Sequence, residues 1–140
     1  MFILDTDAIT HDQNAQPVIR AKVASTLRES LFTTSVTVEE LLRGRLAFIN
    51  KHRNDPVRIA RGHRYLIATL EYLNRWSILR FEERDAAVFG RLHKDHPRVG
   101  SQDLRIAAIA LRHGFTVVTS NVRDFAQVPK LRIEDWTISA

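Results

Sequence analysis

The sequence predicts an α/β fold with a mostly parallel central sheet, and three observations carry that reading. Short runs rich in β-branched and apolar residues recur along the chain. Longer stretches of helical character separate them, from the first residues to the last. That alternation is the pattern of parallel strands joined by crossover helices, with helices covering both faces of the sheet. The length, 140 residues, suits one domain with one core.

The elements read as follows. "FIL" (residues 2–4) is a short buried strand that runs directly into Asp5 and Asp7. "PVIRAKVASTLRES" (17–30) reads as a helix. "LFTTSV" (31–36) has the β-branched and aromatic content of a second strand. Thr37 opens a helix whose apolar residues Val38, Leu41, Leu42, Leu46 and Ile49 fall near helical period. Pro56 starts a long helix reaching about Trp76, and "SILRF" (77–81) is a third strand. Residues 83–93 are helical. Gly100 and Ser101 introduce another helix that stops at Gly114, a common residue after a helix end. "TVVTS" (116–120) is a fourth strand, and "LRIEDW" (131–136) holds a fifth. In such sheets ligands collect outside the carboxyl ends of the strands. Asp5 and the segment after "TVVTS" fall there.

Composition narrows the function. A net charge of +5 favours a polyanionic partner, of which nucleic acid is the commonest. The absence of cysteine excludes disulfides and thiolate chemistry. The longest apolar stretch, "IAAIAL" (106–111), is far short of the roughly 20 residues of a membrane span. The N-terminus lacks the basic and apolar regions of a signal peptide, so a cytoplasmic protein without a membrane partner is expected.

The acidic residues form the most informative pattern. Asp5 follows a strand, where an aspartate also serves as a cap for the next helix. Glu39 and Glu40 lie in "SVTVEELLRG", where Thr37 and Glu40 fit a capping box. Spacing does not choose between the two glutamates for a chemical role. Asp103 shares a helix face with Ile106, Ala107, Ala110 and Leu111, so it points inward from the first turn. A carboxylate there needs a partner, because an unpaired buried charge is costly. Asn121 and Asp124 lie just past the fourth strand, in positions that loop and cap residues also fill. Two carboxylates ~4 Å apart repel by about 4 kcal/mol at an effective dielectric near 20. Asp5, Glu40, Asp103 and Asp124 gathered at one sheet edge therefore call for a cation, and hard oxygen ligands select Mg²⁺ or Mn²⁺. His93 and His96 read as a solvated pair rather than a zinc site.

With these residues in view, the chain resembles the PIN-domain ribonucleases, specifically the VapC-type toxins of prokaryotic toxin–antitoxin pairs. "FILDTD" is similar to the family's opening motif, and "SVTVEELLRG" to its second, whose register selects Glu40 through Leu41 and Gly44. "DLRIAA" is similar to the third motif and "TSNVRDF" to the fourth. One departure is Asp7, where the family most often has asparagine. The resemblance implies a single PIN domain over residues 1–140, with a three-layer α/β/α architecture. It implies metal-dependent RNA hydrolysis, with Asp5, Glu40 and Asp103 as core acids and Asp124 as the fourth. Thr6, Asp7, Thr119 and Asn121 would stand behind them, orienting carboxylates or water. It also implies a VapB-like antitoxin that places a basic residue in the acidic pocket, and a homodimer.

An acidic pocket needs basic flanks to hold RNA. Arg58, Arg61 and Arg64 recur at three-residue steps on one helix face, suited to a phosphate backbone or simply to solvent. Arg43 and Arg45 flank Gly44 near Glu40. Two other readings compete. One is a PIN-like module that binds RNA or protein without cutting. The other is a haloacid-dehalogenase-type phosphatase starting at "LDTD", against which Ile9 and the missing acidic metal motif argue.

Overall fold

The computed structural model describes residues 1–139. Its elements are β1 (Phe2–Leu4), α1 (Thr6–Gln13), α2 (Pro17–Ser25), β2 (Leu31–Thr34), α3 (Ser35–Lys51) and α4 (Pro56–Leu73). β3 (Ser77–Leu79), α5 (Glu83–Asp95), α6 (Ser101–His113), β4 (Thr116–Val118), α7 (Val122–Phe125) and β5 (Ile133–Glu134) follow. The five strands form one sheet in the order β3-β2-β1-β4-β5, and every pairing is parallel. The order reverses beside β1, between β2 and β4. A crevice at the carboxyl ends follows from that reversal.

The two central strands show why the sequence makes a three-layer fold. Successive strand residues point to opposite faces. Ile3 and Val117 pack into one apolar layer with α5, α6 and Phe125, whereas Leu4 and Val118 pack into the other with α1, α2, Tyr72 and Trp136. All four are fully buried. α6 supplies a continuous floor, with Leu104 and residues 106–110 inaccessible to solvent.

Several sequence expectations need correction: the strands expected over 77–81 and 116–120 stop at Leu79 and Val118, and the helix expected to about Trp76 ends at Leu73. The helix expected over 17–30 ends at Ser25, and a short 3-10 turn covers Arg28–Ser30. The hydroxyls of Ser25 and Thr26 donate back to the Lys22 carbonyl at 3.1 and 2.7 Å, competing with continuation of the helix. The second strand stops at Thr34, because Thr34 rather than Thr37 caps the next helix. Its extended backbone lets its hydroxyl accept the Thr37 N–H at 3.3 Å. The Thr37–Glu40 capping box is therefore not formed, and Glu40 is released for a tertiary contact. The apolar pattern also gave no signal for α1, whose "TDAITHDQ" buries only Ala8, Ile9 and Asp12.

α3 and α4 cross closely at Gly62. A Cβ there would lie 2.6 Å from Ile49 Cγ1 and 3.1 Å from Phe48 Cδ1. Gly90, inside α5, has open space around the same position. Gly62→Leu is expected to lower stability by about 1–3 kcal/mol through overpacking. Gly90→Ala is expected to raise it by roughly 0.5–1 kcal/mol through helix propensity. Urea unfolding of both variants checks the contrast, and equal effects would contradict a tight crossing at Gly62.

Candidate active site

Each expected acid emerges from an element that fixes its direction. Asp5 follows β1, and its backbone N–H donates to the Val118 carbonyl at 3.0 Å, extending the sheet by one residue. Its side chain caps α1: Oδ1 accepts the Ala8 N–H at 2.8 Å, and Oδ2 accepts the Thr119 hydroxyl at 2.6 Å. Thr119 is itself buried just past β4, and its oxygen accepts the Asn121 N–H at 2.8 Å. The Asn121 side-chain amide then bridges two acids, donating to Asp103 Oδ2 and Asp124 Oδ2, each at 3.0 Å. On the other flank, the Thr6 hydroxyl donates to Glu40 Oε1 at 2.7 Å. With that proton committed, Thr37 donates to Thr6 across 3.1 Å.

The two glutamates of α3 thus part company. Glu40 faces the first turn of α1. Glu39 is half exposed and pairs with Arg43 Nη2 at 2.6 Å. Thr37 is the site neighbour that sequence reasoning missed, since it was read as a cap.

Electrostatics mark the cluster as strained for anions alone. Burial pushes the Asp5 carboxyl up to about 7, against the lowering effect of its Thr119 and Ala8 hydrogen bonds, with repulsion from Asp7 and Asp103 adding to the rise. Burial likewise raises Asp103 to about 6, opposed by Asn121 and reinforced by Asp7, Glu40 and Asp124. Among the described residues, no ion pair involves Asp5, Asp7, Glu40, Asp103 or Asp124. Nor do three such side chains form a ready-made metal cage among them. The donors they do have are neutral hydroxyls and amides, which leave carboxylate oxygens available. An all-oxygen set of uncompensated acids fits a hard divalent cation.

The arginines lie at different depths. Arg45 is half buried; its Nε donates to Thr69 Oγ1 at 3.0 Å, and its guanidinium lies over the Tyr65 ring. Arg43 is exposed and held by Glu39. Arg58, Arg61 and Arg64 are all exposed on α4, Arg58 pairing with Asp55 at 3.5 Å. The Arg45–Thr69 bond and the Ile49–Gly62 contact set the antiparallel register of α3 and α4. At 1.5 Å rise per residue, Arg64 is roughly 12 Å and Arg58 roughly 20 Å from the level of Glu40 along the α3 axis. The stripe leads away from the acids rather than ringing them.

Comparison with known proteins follows the same lines. The family model described as PIN domain matches residues 2–131. A curated protein from Haemophilus influenzae named Ribonuclease VapC2 is 29% identical over 140 aligned residues, covering 96% of this chain and 97% of its own. The tRNA(fMet)-specific endonuclease VapC of Salmonella typhimurium is 27% identical, with the same coverage. The crystal structure of DNA-bound VapBC from Salmonella typhimurium superposes with a TM-score of 0.78 at 27% identity, covering 96% of this chain and 97% of that one. VapBC-1 from nontypeable Haemophilus influenzae gives 0.77 at 25% identity, covering 98% of both.

Proposed function

The chain belongs to the PIN-domain family, and from that premise we propose that it is a metal-dependent endoribonuclease toxin of the VapC type, held in check by a VapB-like antitoxin. The observation that carries the proposal is the acidic cluster itself. Asp5, Glu40, Asp103 and Asp124 are oriented by neutral donors and left without a cationic partner. The family match favours this reading over the phosphatase and over a module that only binds.

In this reading Asp5, Glu40 and Asp103 would hold Mg²⁺ or Mn²⁺, with Asp124 joining them through the shared Asn121 amide. A divalent ion there lowers the pKa of water and neutralises charge on the scissile phosphate. The chain's own groups do the positioning. Thr119 and the α1 N-terminus fix both oxygens of Asp5, Asn121 aims Asp103 and Asp124 together, and Thr6 with Thr37 orients Glu40. Asp7, exposed at the start of α1, adds a further negative charge beside Asp5 and Asp103. The products of such hydrolysis carry a 5′-phosphate and a 3′-hydroxyl.

The antitoxin would bring a basic residue to the same uncompensated acids. Homodimerisation would cover the α3 face that exposes Leu46, and light scattering on the purified chain measures it. The name of the Salmonella relative directs the first substrate test to initiator tRNA. Controlled expression followed by sequencing of RNA 5′ ends is expected to show cuts accumulating at one site, absent with Asp5→Asn. A cleavage pattern identical for both proteins would overturn the nuclease assignment.

Arg58 and Arg61 lie where a phosphate backbone leaving the acids along α4 would pass. Arg58→Ala with Arg61→Ala is expected to weaken RNA binding for all sequences alike. Each lost phosphate contact reduces the slope of log K against log salt by about 0.7–0.9. An unchanged slope would show the stripe to be a solvated face.

A further inference from the structure

A second polar centre lies at the other end of the sheet from the acids. Beside Leu31, at the amino end of β2, is a cavity of about 290 Å³. Asp12 reaches it from the last turn of α1, Tyr72 from the end of α4, and Trp76 from the following loop; Arg20, Arg28 and Arg75 line it as well. Asp12 is 4% exposed. Its Oδ2 accepts the Tyr72 hydroxyl at 2.5 Å, but its buried Oδ1 has no hydrogen-bond partner. The nearest cation, Arg20 Nε, is 3.9 Å away, beyond hydrogen-bond range, on a side chain 49% exposed. A buried carboxylate oxygen left in this state is costly, so it points to a donor supplied from outside.

The surroundings specify that donor. Three arginines, of which Arg28 also donates from Nη2 to the Arg75 carbonyl at 3.0 Å, disfavour a cationic ligand and suit an anion, above all a phosphate. Trp76, partly buried and packed against the buried Tyr72 ring at a centroid distance of 6.3 Å, offers aromatic surface to a planar group. A flat, neutral ring that donates to a carboxylate and carries a phosphate satisfies all three conditions. Among the nucleobases guanine fits best, because its N1–H and N2–H donors are adjacent and match one carboxylate, here the unpaired Oδ1 and the lone pair of Oδ2 that Tyr72 leaves free. Adenine and cytosine place a ring acceptor beside the amino group, and uracil flanks its single N–H with two acceptors.

We propose that this cavity is a guanosine-phosphate site, in which Asp12 pairs with the guanine edge and Arg20, Arg28 and Arg75 hold the phosphate. Turning the half-exposed Arg20 from Asp12 onto the phosphate uncovers Oδ1 for the base. The volume lies near the lower end of the roughly 300–1,000 Å³ usual for small-ligand pockets, enough for the base with the phosphate at the mouth. The proposal is independent of the nuclease reading, since no acid of that site takes part. Its ligand is either a free guanine nucleotide or a guanosine of an RNA chain.

Titration calorimetry of the full chain, in EDTA so that no cation recruits phosphate to the acidic site, tests it. GDP is expected to bind one per chain. Inosine diphosphate, which lacks the 2-amino group, is expected to bind about tenfold more weakly, equivalent to about 1.4 kcal/mol. ADP is expected to bind more weakly still. Asp12→Asn should erase the preference for GDP over ADP. Arg75→Ala, a surface change that spares the fold, should weaken GDP more than guanosine. Tighter binding of GDP than of a trinucleotide containing guanosine identifies the free nucleotide as the ligand, and the reverse order identifies RNA. Absence of GDP binding, equal affinity for GDP and ADP, or GDP affinity unchanged in both variants would overturn the proposal.

Discussion

Asp5→Asn is expected to end RNA cleavage while making the metal-free protein more stable above neutral pH. The two effects have one origin. Burial raises Asp5 to about 7, so between pH 4 and 7 the folded chain keeps a proton that the unfolded chain has lost. Stability is then fully present below the unfolded value near 3.8 and declines as pH rises to about 7. Ionising Asp5 at pH 8 costs the fold on the order of 4 kcal/mol, at about 1.36 kcal/mol per unit. An asparagine removes that cost: its carbonyl still accepts the Ala8 N–H, and its amide donates to Thr119. Thermal unfolding in EDTA should show Asp5→Asn melting above the parent at pH 8, with no advantage near pH 4. Excess Mn²⁺ should raise the parent's stability, by about 2.7 kcal/mol at 100 times the dissociation constant, and should raise the variant's less. Cleavage should fall at least about 100-fold, beyond the 10–100-fold typical of losing a ligand's supporting partner. Wild-type cleavage by the purified variant, or identical melting of the two proteins in EDTA at pH 8, would sink the role given to Asp5.

The acids were legible because each stands where chain geometry leaves little choice. Asp5 ends a strand of three apolar residues, which puts it at a carboxyl end of the sheet, whereas the apolar stripe of α6 gave only an inward direction for Asp103, whose role beside Asp5 rested on the resemblance to the PIN-domain motifs. The same local reasoning failed at Thr37 and Glu40. Their Thr-x-x-Glu spacing matches a capping box, yet the Glu40 partner is Thr6, 34 residues away. No periodicity encodes that contact; it appears only when β1 and β2 pair and bring the starts of α1 and α3 together. α1 was illegible for a related reason. It buries so few apolar residues that its helicity rests on the Asp5 cap and on packing, not on an amphipathic stripe. Distance from the site was equally hidden for the arginines. Their three-residue steps predicted a shared face, but only the register of α4 against α3 showed that face leading away from Glu40.

Arg112→Ala is expected to cost the fold about 3–5 kcal/mol, because it strands a buried charge. Asp85, in the first turn of α5, has a side chain only 1% exposed, and Arg112, near the end of α6, approaches it with Nε 2.6 Å from Oδ1 and Nη2 2.9 Å from Oδ2. The carboxylate also accepts the Glu82 N–H at 2.8 Å, closing the α5 cap. Burial pushes the Asp85 carboxyl up, but the Arg112 and Glu82 hydrogen bonds and the charge of Arg112 outweigh it and hold it below its ordinary value. A depressed carboxyl stabilises the fold above the unfolded value near 3.8 and loses that contribution as pH falls through the folded one. The parent should therefore lose stability below about pH 4, and Arg112→Ala should lose less there, having already given up the pair. Replacing both partners, Asp85→Ala with Arg112→Ala, should be milder than Arg112→Ala alone, since no charge is left unpaired. The site gives the pair its functional weight. α6 presents Asp103 from its first turn, and Arg112 anchors the far end of the same helix to α5. At temperatures where Arg112→Ala stays folded, its cleavage rate should match the parent's, and the loss should appear only as a lower melting temperature. A double variant as unstable as the single one would show that the cost lies in packing around Arg112 and not in the stranded Asp85.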